Sequence, residues 1–331
     1  MIKNNNNYQT NSTSKTVKGF NKINFISIGI CTKNNYKLLN KCLKSINNLV
    51  IPNNLKVEIV VIDQSDNQLK LDSSKFKRLV FKQFFSKHAG ISFARNELFK
   101  FASGDILFIT DDDTIVSNNW ITSTIDLFSQ NNRVGIIGGK IKQLNKTPNS
   151  FSNTLKELDY NKNFWPYALL DLGEKVKTID KDTHYPCFAN MAIRKKVYKN
   201  VKIDTDFGNQ ESFFKIFGGE DPAFVEEVKK TYSLLYNPNM LVWHYIKPHK
   251  FSKKYFIWRY FEWGKERALL KTKYNIPFNI TLNQLFKNII NLIRNIKNGR
   301  TYLNELLYIV PALSFSSTIF FLKVSNIPKK S

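Results

Sequence analysis

The chain has 331 residues, 42% of them hydrophobic, which is enough to bury a sizeable core and argues against global disorder. Its formal net charge of +24 points to an anionic partner: nucleic acid, an acidic membrane surface or a phosphorylated substrate. Three cysteines, Cys31, Cys42 and Cys187, without CxxC spacing suggest neither a disulfide framework nor a zinc site, and read as small buried hydrophobes in a reducing compartment.

Residues 1–22 carry four lysines and no acidic residue among many Asn and Ser, the pattern of a disordered polar tail. With no apolar signal core in that stretch, the chain is expected to stay cytosolic. Phe25–Ile30 reads as a buried strand, and Tyr36–Ile46 as a helix with Leu38, Leu39, Cys42, Leu43 and Ile46 on one stripe. After the break at Pro52-Asn53-Asn54, strands are predicted over Val57–Ile62, Leu79–Phe85, Ile106–Thr110 and Val134–Ile137, with a helix over Ile91–Ala102. Strands alternating with helices indicate an α/β, parallel-rich, doubly wound sheet, in which ligands bind at the carboxyl ends of the strands. Two of those ends carry aspartate, Asp63 and Asp111. Residues 140–185 read as polar and irregular, and Cys187–Ile193, Ser233–Tyr236 and Met240–Tyr245 as further strands.

The strand at Ile106 runs into Asp111, Asp112 and Asp113. Adjacent carboxylates repel one another unless a cation neutralises them. A divalent metal bridging to a diphosphate would do so, using few protein ligands and hard oxygen donors; a solvated loop or helix cap is the plainer alternative. Gly218-Gly219 precede Glu220-Asp221-Pro222, which open a helix through Lys229. Asp before Pro reads as an N-cap, yet a cap position can also fix a carboxylate at the edge of a site.

From Lys247 to the end there are 16 Lys and Arg against 3 Asp and Glu, more than half of the chain's excess charge. Leu282, Leu285, Phe286, Ile289, Ile293 and Ile296 recur at helical spacing among Lys287, Arg294, Lys297 and Arg300, a basic amphipathic helix. Leu306–Leu322 has no charged residue but contains Pro311, so an interfacial or re-entrant helix on an anionic inner leaflet is expected rather than a full span, with packing on the rest of the chain as the alternative.

Several segments resemble glycosyltransferase family 2 in the order that family has them. They are the run Ile26–Ile30, Thr32, Leu39, Leu43, Ser45-Ile46; EIVVIDQSDN (Glu58–Asn67); HAGISFARNELFKFASGDILFITDDD (His88–Asp113); FANMAIRKKVY (Phe188–Tyr198); and GGEDPAF (Gly218–Phe224). The resemblance implies a GT-A fold, Rossmann-like with a mainly parallel mixed sheet, over residues 23–250; the charge and amphipathic spacing beyond it mark 251–331 as a helical membrane-associating appendage. It implies Mn2+- or Mg2+-dependent, inverting transfer from a nucleotide sugar to a glycan or lipid-linked acceptor, in cell-surface polysaccharide synthesis at the inner face of the cell membrane. On this resemblance Asp63 contacts the nucleobase, and Asp111 the ribose or base with Asp112 beside it. Asp113 holds the metal, with His244 near metal or phosphates. Arg95 pairs with phosphate or with a rim carboxylate. Asp221 is the base that deprotonates the acceptor, supported by Glu220. Trp165, Tyr167 and Asn190 shape the acceptor site or pack the core. Gln64-Ser65-Asp66 and Pro222 depart from the family's pattern, which leaves the nucleobase and the geometry of the late pair open.

Three rivals make different demands. A nucleic-acid-binding protein would interleave basic and aromatic residues across the ordered domain rather than place carboxylates at strand ends. A glycoside hydrolase would leave the acidic triplet unexplained. A catalytically inactive relative would bind but not cleave a sugar nucleotide. No nucleic-acid partner is expected.

Overall fold

The computed structural model describes residues 22–76, 78–158, 164–179, 185–208, 216–278 and 280–324. The tail expected over 1–22 lies outside these but for Lys22. In chain order the elements are β1 (Phe25–Thr32), α1 (Tyr36–Asn47), β2 (Lys56–Asp63), β3 (Val80–Phe85), α2 (Ile91–Phe101), β4 (Ile106–Asp111), β5 (Thr114–Val116), α3 (Thr122–Gln130), β6 (Val134–Gln143), α4 (Asn149–Glu157), β7 (Lys177–Thr178), β8 (Asn190–Arg194), α5 (Lys195–Asn200), α6 (Glu220–Lys229), β9 (Ser233–His244), α7 (Lys253–Tyr274), α8 (Leu282–Lys297) and α9 (Leu303–Val324).

The strands form one sheet in the order β3-β2-β1-β4-β8-β6-β9-β5, with β7 on β9. The first four strands in that order run parallel, and β8 is antiparallel to both β4 and β6. Parallel strands covered on both faces must be apolar throughout, which is why β1, β2 and β4 are near-continuous Ile, Val, Leu and Phe and almost wholly buried. The stripe of α1 packs as its periodicity requires, burying Leu39, Cys42, Leu43 and Ile46.

Register decides which residues meet at the rim. Thr32 of β1 lies beside Asp63 of β2, and Cys31 beside Asp111 of β4. The carboxyl ends of three parallel strands therefore finish level, at the point where the strand order reverses around β1.

Several sequence expectations are corrected. Ser233–Tyr236 and Met240–Tyr245 are one strand, β9, whose Pro238 is absorbed where the register against β6 shifts between Gly139 and Lys140. The strand expected from Cys187 starts at Asn190 instead. The segment read as irregular contains the end of β6, α4 and β7, and α4 buries Phe151, Thr154 and Leu155 in a stripe only nine residues long.

Across the 250/251 boundary the chain stays in contact with what precedes it. Phe256 of α7 is fully buried against Phe151, Phe164 and Tyr167, and the Tyr255 hydroxyl donates to the Pro166 carbonyl at 2.9 Å. In turn α9 crosses α7 closely at Gly264, where a Cβ would lie 2.4 Å from the Pro311 carbonyl oxygen, and the Ser314 hydroxyl donates to Phe261 O. The stretch Leu303–Leu322 is long and apolar enough to cross a membrane, and 39% of it is buried in the protein. Among the described α-helices, α8 alone has no buried residue, leaving Leu282, Phe286, Ile290, Ile293 and Ile296 exposed.

Candidate active site

A cleft of about 270 Å³ opens at the carboxyl rim, walled by Thr32, Lys33, Gln64, Arg95, His244, Lys247 and the three consecutive aspartates. The carboxylates of Asp111 and Asp113 and the imidazole of His244 offer ligand atoms that all lie within 4.8 Å of one another. Strand pairing sets this up: β5 turns back from the triplet and runs antiparallel to β9, with Thr114 beside His244. His244 Nδ1 lies 2.8 Å from the Tyr167 carbonyl oxygen, which can only accept, so Nδ1 carries a proton. Nε2 faces Asp113 Oδ1 at 3.2 Å. Burial disfavours the imidazolium, yet Asp113 outweighs it and raises the His244 pKa. Burial likewise works against the Asp113 carboxylate, but His244 holds it below the ordinary range.

This donor set, two carboxylates and an oriented imidazole beside open space, suits Mn2+ or Mg2+ that completes its shell with water and phosphate oxygens, the imidazole favouring manganese. The carbonyl behind His244 fixes the ring for such a role. Asp111, assigned from the family resemblance to ribose or base, thus stands with the metal group. Asp112 turns the other way, accepting from the Thr32 hydroxyl at 2.6 Å and Asn35 Nδ2 at 2.7 Å, and burial with Asp113 nearby pushes it up to about 7.

Arg95 joins the two acidic motifs. From α2 it donates to Glu220 Oε1 at 2.7 Å and reaches Asp111 Oδ1 at 3.5 Å, with its guanidinium 4.4 Å from the Phe188 ring centroid. It thus forms ion pairs with carboxylates of the rim. Glu220 is buried behind it, and its Oε2 finds no hydrogen-bond partner among the described residues.

The N-cap reading of Asp221 is corrected. The cap is Gly219, at φ 87°, following Gly218 at φ 106°, a pair of left-handed positions that favour glycine. Asp221 lies in the first turn instead, and its Oδ1 accepts from the Phe188 amide at 2.8 Å. Burial, with Glu220 next to it, pushes Asp221 up to about 7, against the lowering expected of a helix N-terminus. It opens into a second cavity of about 500 Å³ with Trp165, Tyr167, Tyr185 and Cys187.

Two expected site residues stay out of these cavities. Asp63 is fully buried, accepting from the Tyr36 hydroxyl at 2.6 Å, Gln83 Nε2 at 3.1 Å and the Ser65 amide at 2.9 Å. Asn190, considered for the acceptor, is structural: it accepts from Trp120 Nε1 and donates to the Lys140 and Met240 carbonyls, tying β8 to β6 and β9 at the register shift. Sequence reasoning missed Lys247 beside the aspartates, and Arg259, Trp263, Glu266 and Arg267 of α7 beside Asp221. The first was legible as a cation just after His244; the others lay hidden in a segment read only as basic and aromatic.

A mainly parallel mixed sheet with carboxylates and a metal-ready group on its carboxyl rim defines a GT-A glycosyltransferase, an enzyme that transfers sugar from a nucleotide sugar. The model of the glycosyl transferase family 2 matches residues 27–202, more than half of the chain, and the protein belongs to that family. Its fold resembles GalNAc-T7 with UDP, GalNAc and Mn2+ (TM-score 0.51, 15% identity, 93% of this chain and 59% of that one). It also resembles S. aureus TarS 1–349 in complex with UDP (TM-score 0.50, 14% identity, 91% and 90%). At such identities the likeness is one of fold. No curated protein matches the chain.

Proposed function

We propose that the protein is an inverting, Mn2+- or Mg2+-dependent glycosyltransferase that acts on a glycan or lipid-linked acceptor at the inner face of a membrane, in surface-polysaccharide synthesis. One observation carries this reading: Arg95 physically connects the Asp111–Asp113–His244 group to the Glu220-Asp221 pair, so a donor on the first faces a base on the second.

In this reading the acceptor hydroxyl oxygen attacks the anomeric carbon as its proton passes to Asp221. The bond from that carbon to the diphosphate breaks on the opposite face, and the nucleoside diphosphate leaves with the electron pair. When bound, the metal supplies Lewis-acid neutralisation of the departing diphosphate. Lys247 adds a cation on the same side, Asp111 and Asp113 hold the metal with His244, and Asp112 braces the β1–α1 loop through Thr32 and Asn35. Asp63 would meet a nucleobase only through the Tyr36–Gln83 network that encloses it. GalNAc-T7, on the same fold, holds UDP, GalNAc and Mn2+, which supports the donor and metal classes.

Screening nucleotide sugars with Mn2+ by thermal shift, followed by NMR of the product's anomeric configuration, tests the function. Retained configuration would overturn the inverting assignment, and no stabilisation by any sugar nucleotide would overturn the donor. Because Asp221 titrates near 7 and must be ionised to accept a proton, turnover should rise as pH increases through about 7. A rate flat from about pH 5.5 to about pH 8.5 would remove Asp221 as the base.

The membrane role rests on α8, whose Leu282, Phe286, Ile290, Ile293 and Ile296 are exposed and whose Lys287, Arg294 and Lys297, with Arg300 just beyond, suit an anionic leaflet. Since α9 is bedded on α7, the informative change is on α8: Phe286→Asp with Ile293→Asp should abolish flotation with anionic vesicles. Both side chains are exposed, so the melting temperature should move by no more than about 2 °C. Undiminished flotation of the double variant would place the anchor elsewhere.

A further inference from the structure

Two cavities meet on α7. The one beside Asp221, about 500 Å³, and a second of about 710 Å³, roofed in part by Phe278, Gln284, Leu307 and Tyr308 around α8 and α9, share three wall residues: Trp165, Trp263 and Arg267. The two indole rings stack with centroids 5.5 Å apart. Arg259 lies over Trp165 at 4.8 Å, and its charge is met by Glu266 at 2.6 Å. Arg267 lies over Trp263 at 5.4 Å, and among the described residues no carboxylate stands within ion-pairing distance of it. All of these α7 residues follow the 27–202 stretch that defines the family.

The Arg267 guanidinium lies at the junction of two cavities with Glu266 and Tyr185 in its field but no carboxylate at ion-pairing distance among the described residues, so an anion placed in that junction would complete it. The geometry restricts which anion. A group lodged between two cavities must carry a substituent on each side. A carboxylate joined on both sides becomes an uncharged ester, whereas a phosphate joined on both sides keeps a negative charge and two free oxygens for the guanidinium fork. Trp165 and Trp263, whose ring faces are taken by each other and by Arg259 and Arg267, still wall the Asp221 side together with Tyr185 and Leu170, an apolar surround for a sugar ring.

We propose that the acceptor is a phosphate-linked sugar. Its hydroxyl-bearing ring lies beside Asp221 against Trp165 and Trp263, its phosphodiester sits on Arg267, and the remainder leaves through the second cavity toward α8 and α9. This rests on the acceptor-activating role proposed for Asp221. The same chemistry occurs in a lipid-linked head group and in a soluble phosphodiester polymer.

Saturation-transfer NMR titrations of the full chain, without donor, test it with three probes: methyl glucoside, the methyl phosphodiester of glucose 1-phosphate, and its decyl phosphodiester. The methyl phosphodiester should bind about tenfold tighter than methyl glucoside, the scale of one charge-assisted hydrogen bond. Arg267→Gln should erase that preference, and Arg267→Lys should keep most of it. No preference in the unaltered protein overturns the proposal. So does a preference that survives Arg267→Gln but vanishes in Asp113→Asn, which would put the phosphate in the donor cleft. A further gain of about tenfold for the decyl over the methyl diester identifies a lipid-linked source, since burying even a few methylenes exceeds that; equal binding identifies a soluble polymer. Because these are binding measurements, failure of Asp221 as the base would appear only in turnover and leave the Arg267 result legible.

Discussion

Asp221→Asn is expected to lower turnover by roughly 10²–10⁴ while leaving donor affinity within about threefold, because a general base acts in the transition state and not in donor binding. The structure makes this substitution informative. Gly219 caps the helix and Asp221 does not, so no cap is lost. An Asn side chain keeps one oxygen to accept from the Phe188 amide, 2.8 Å away in the native protein. Removing a buried carboxylate beside Glu220 also relieves like-charge repulsion, so the variant should be no less stable near neutral pH. Steady-state rates with a confirmed donor and acceptor, together with calorimetric donor titration, decide the matter. Near-normal turnover would move the base to Glu220, and an equal loss of donor affinity would mean that the change disturbed the cleft through Arg95.

The second large effect is at the metal group. Asp113→Asn should weaken Mn2+-dependent donor binding by at least about 100-fold, since removal of even an outer-shell partner of a metal site typically costs 10–100-fold. Donor titration with and without Mn2+ would show it: an unchanged difference between the two would sink the assignment of Asp113. Stability provides a control with a defined sign. The folded pKa of His244 is raised and that of Asp113 lowered, so their pair stabilises the fold above the carboxylate's range and below the imidazole's. The penalty of the substitution, measured by denaturation without metal, should therefore be greatest in weakly acidic buffer. It should shrink as pH rises through the raised imidazole pKa, where the pair is already lost in the native protein.

Much of this site could be read before any coordinates. The apolar runs ending at Asp63 and Asp111 specify parallel strands, and strand ends of that kind meet on one rim whatever the helices do. The acidic triplet needs a cation for the same reason in a peptide as in a fold. What could not be read was direction. Asp112 and Asp113 are adjacent, yet one turns to Thr32 and the other to His244, a choice made by β5 folding back onto β9. Asp63 ends its strand as expected but is sealed under Tyr36, whose position depends on how α1 enters the sheet.

The sequence by itself determined the sheet, the order of its strands' chemistry and the family, because periodicity and motif spacing are local properties that survive in a linear string. Only the tertiary structure decided that Arg95 would pair with Glu220 across 125 positions, that Asn190 would be a structural clamp, and that α7 would close the cavity beside Asp221 with Trp263 and Arg267. These pairings join residues distant in sequence, and their energies come from burial and charge matching that exist only once the chain has packed.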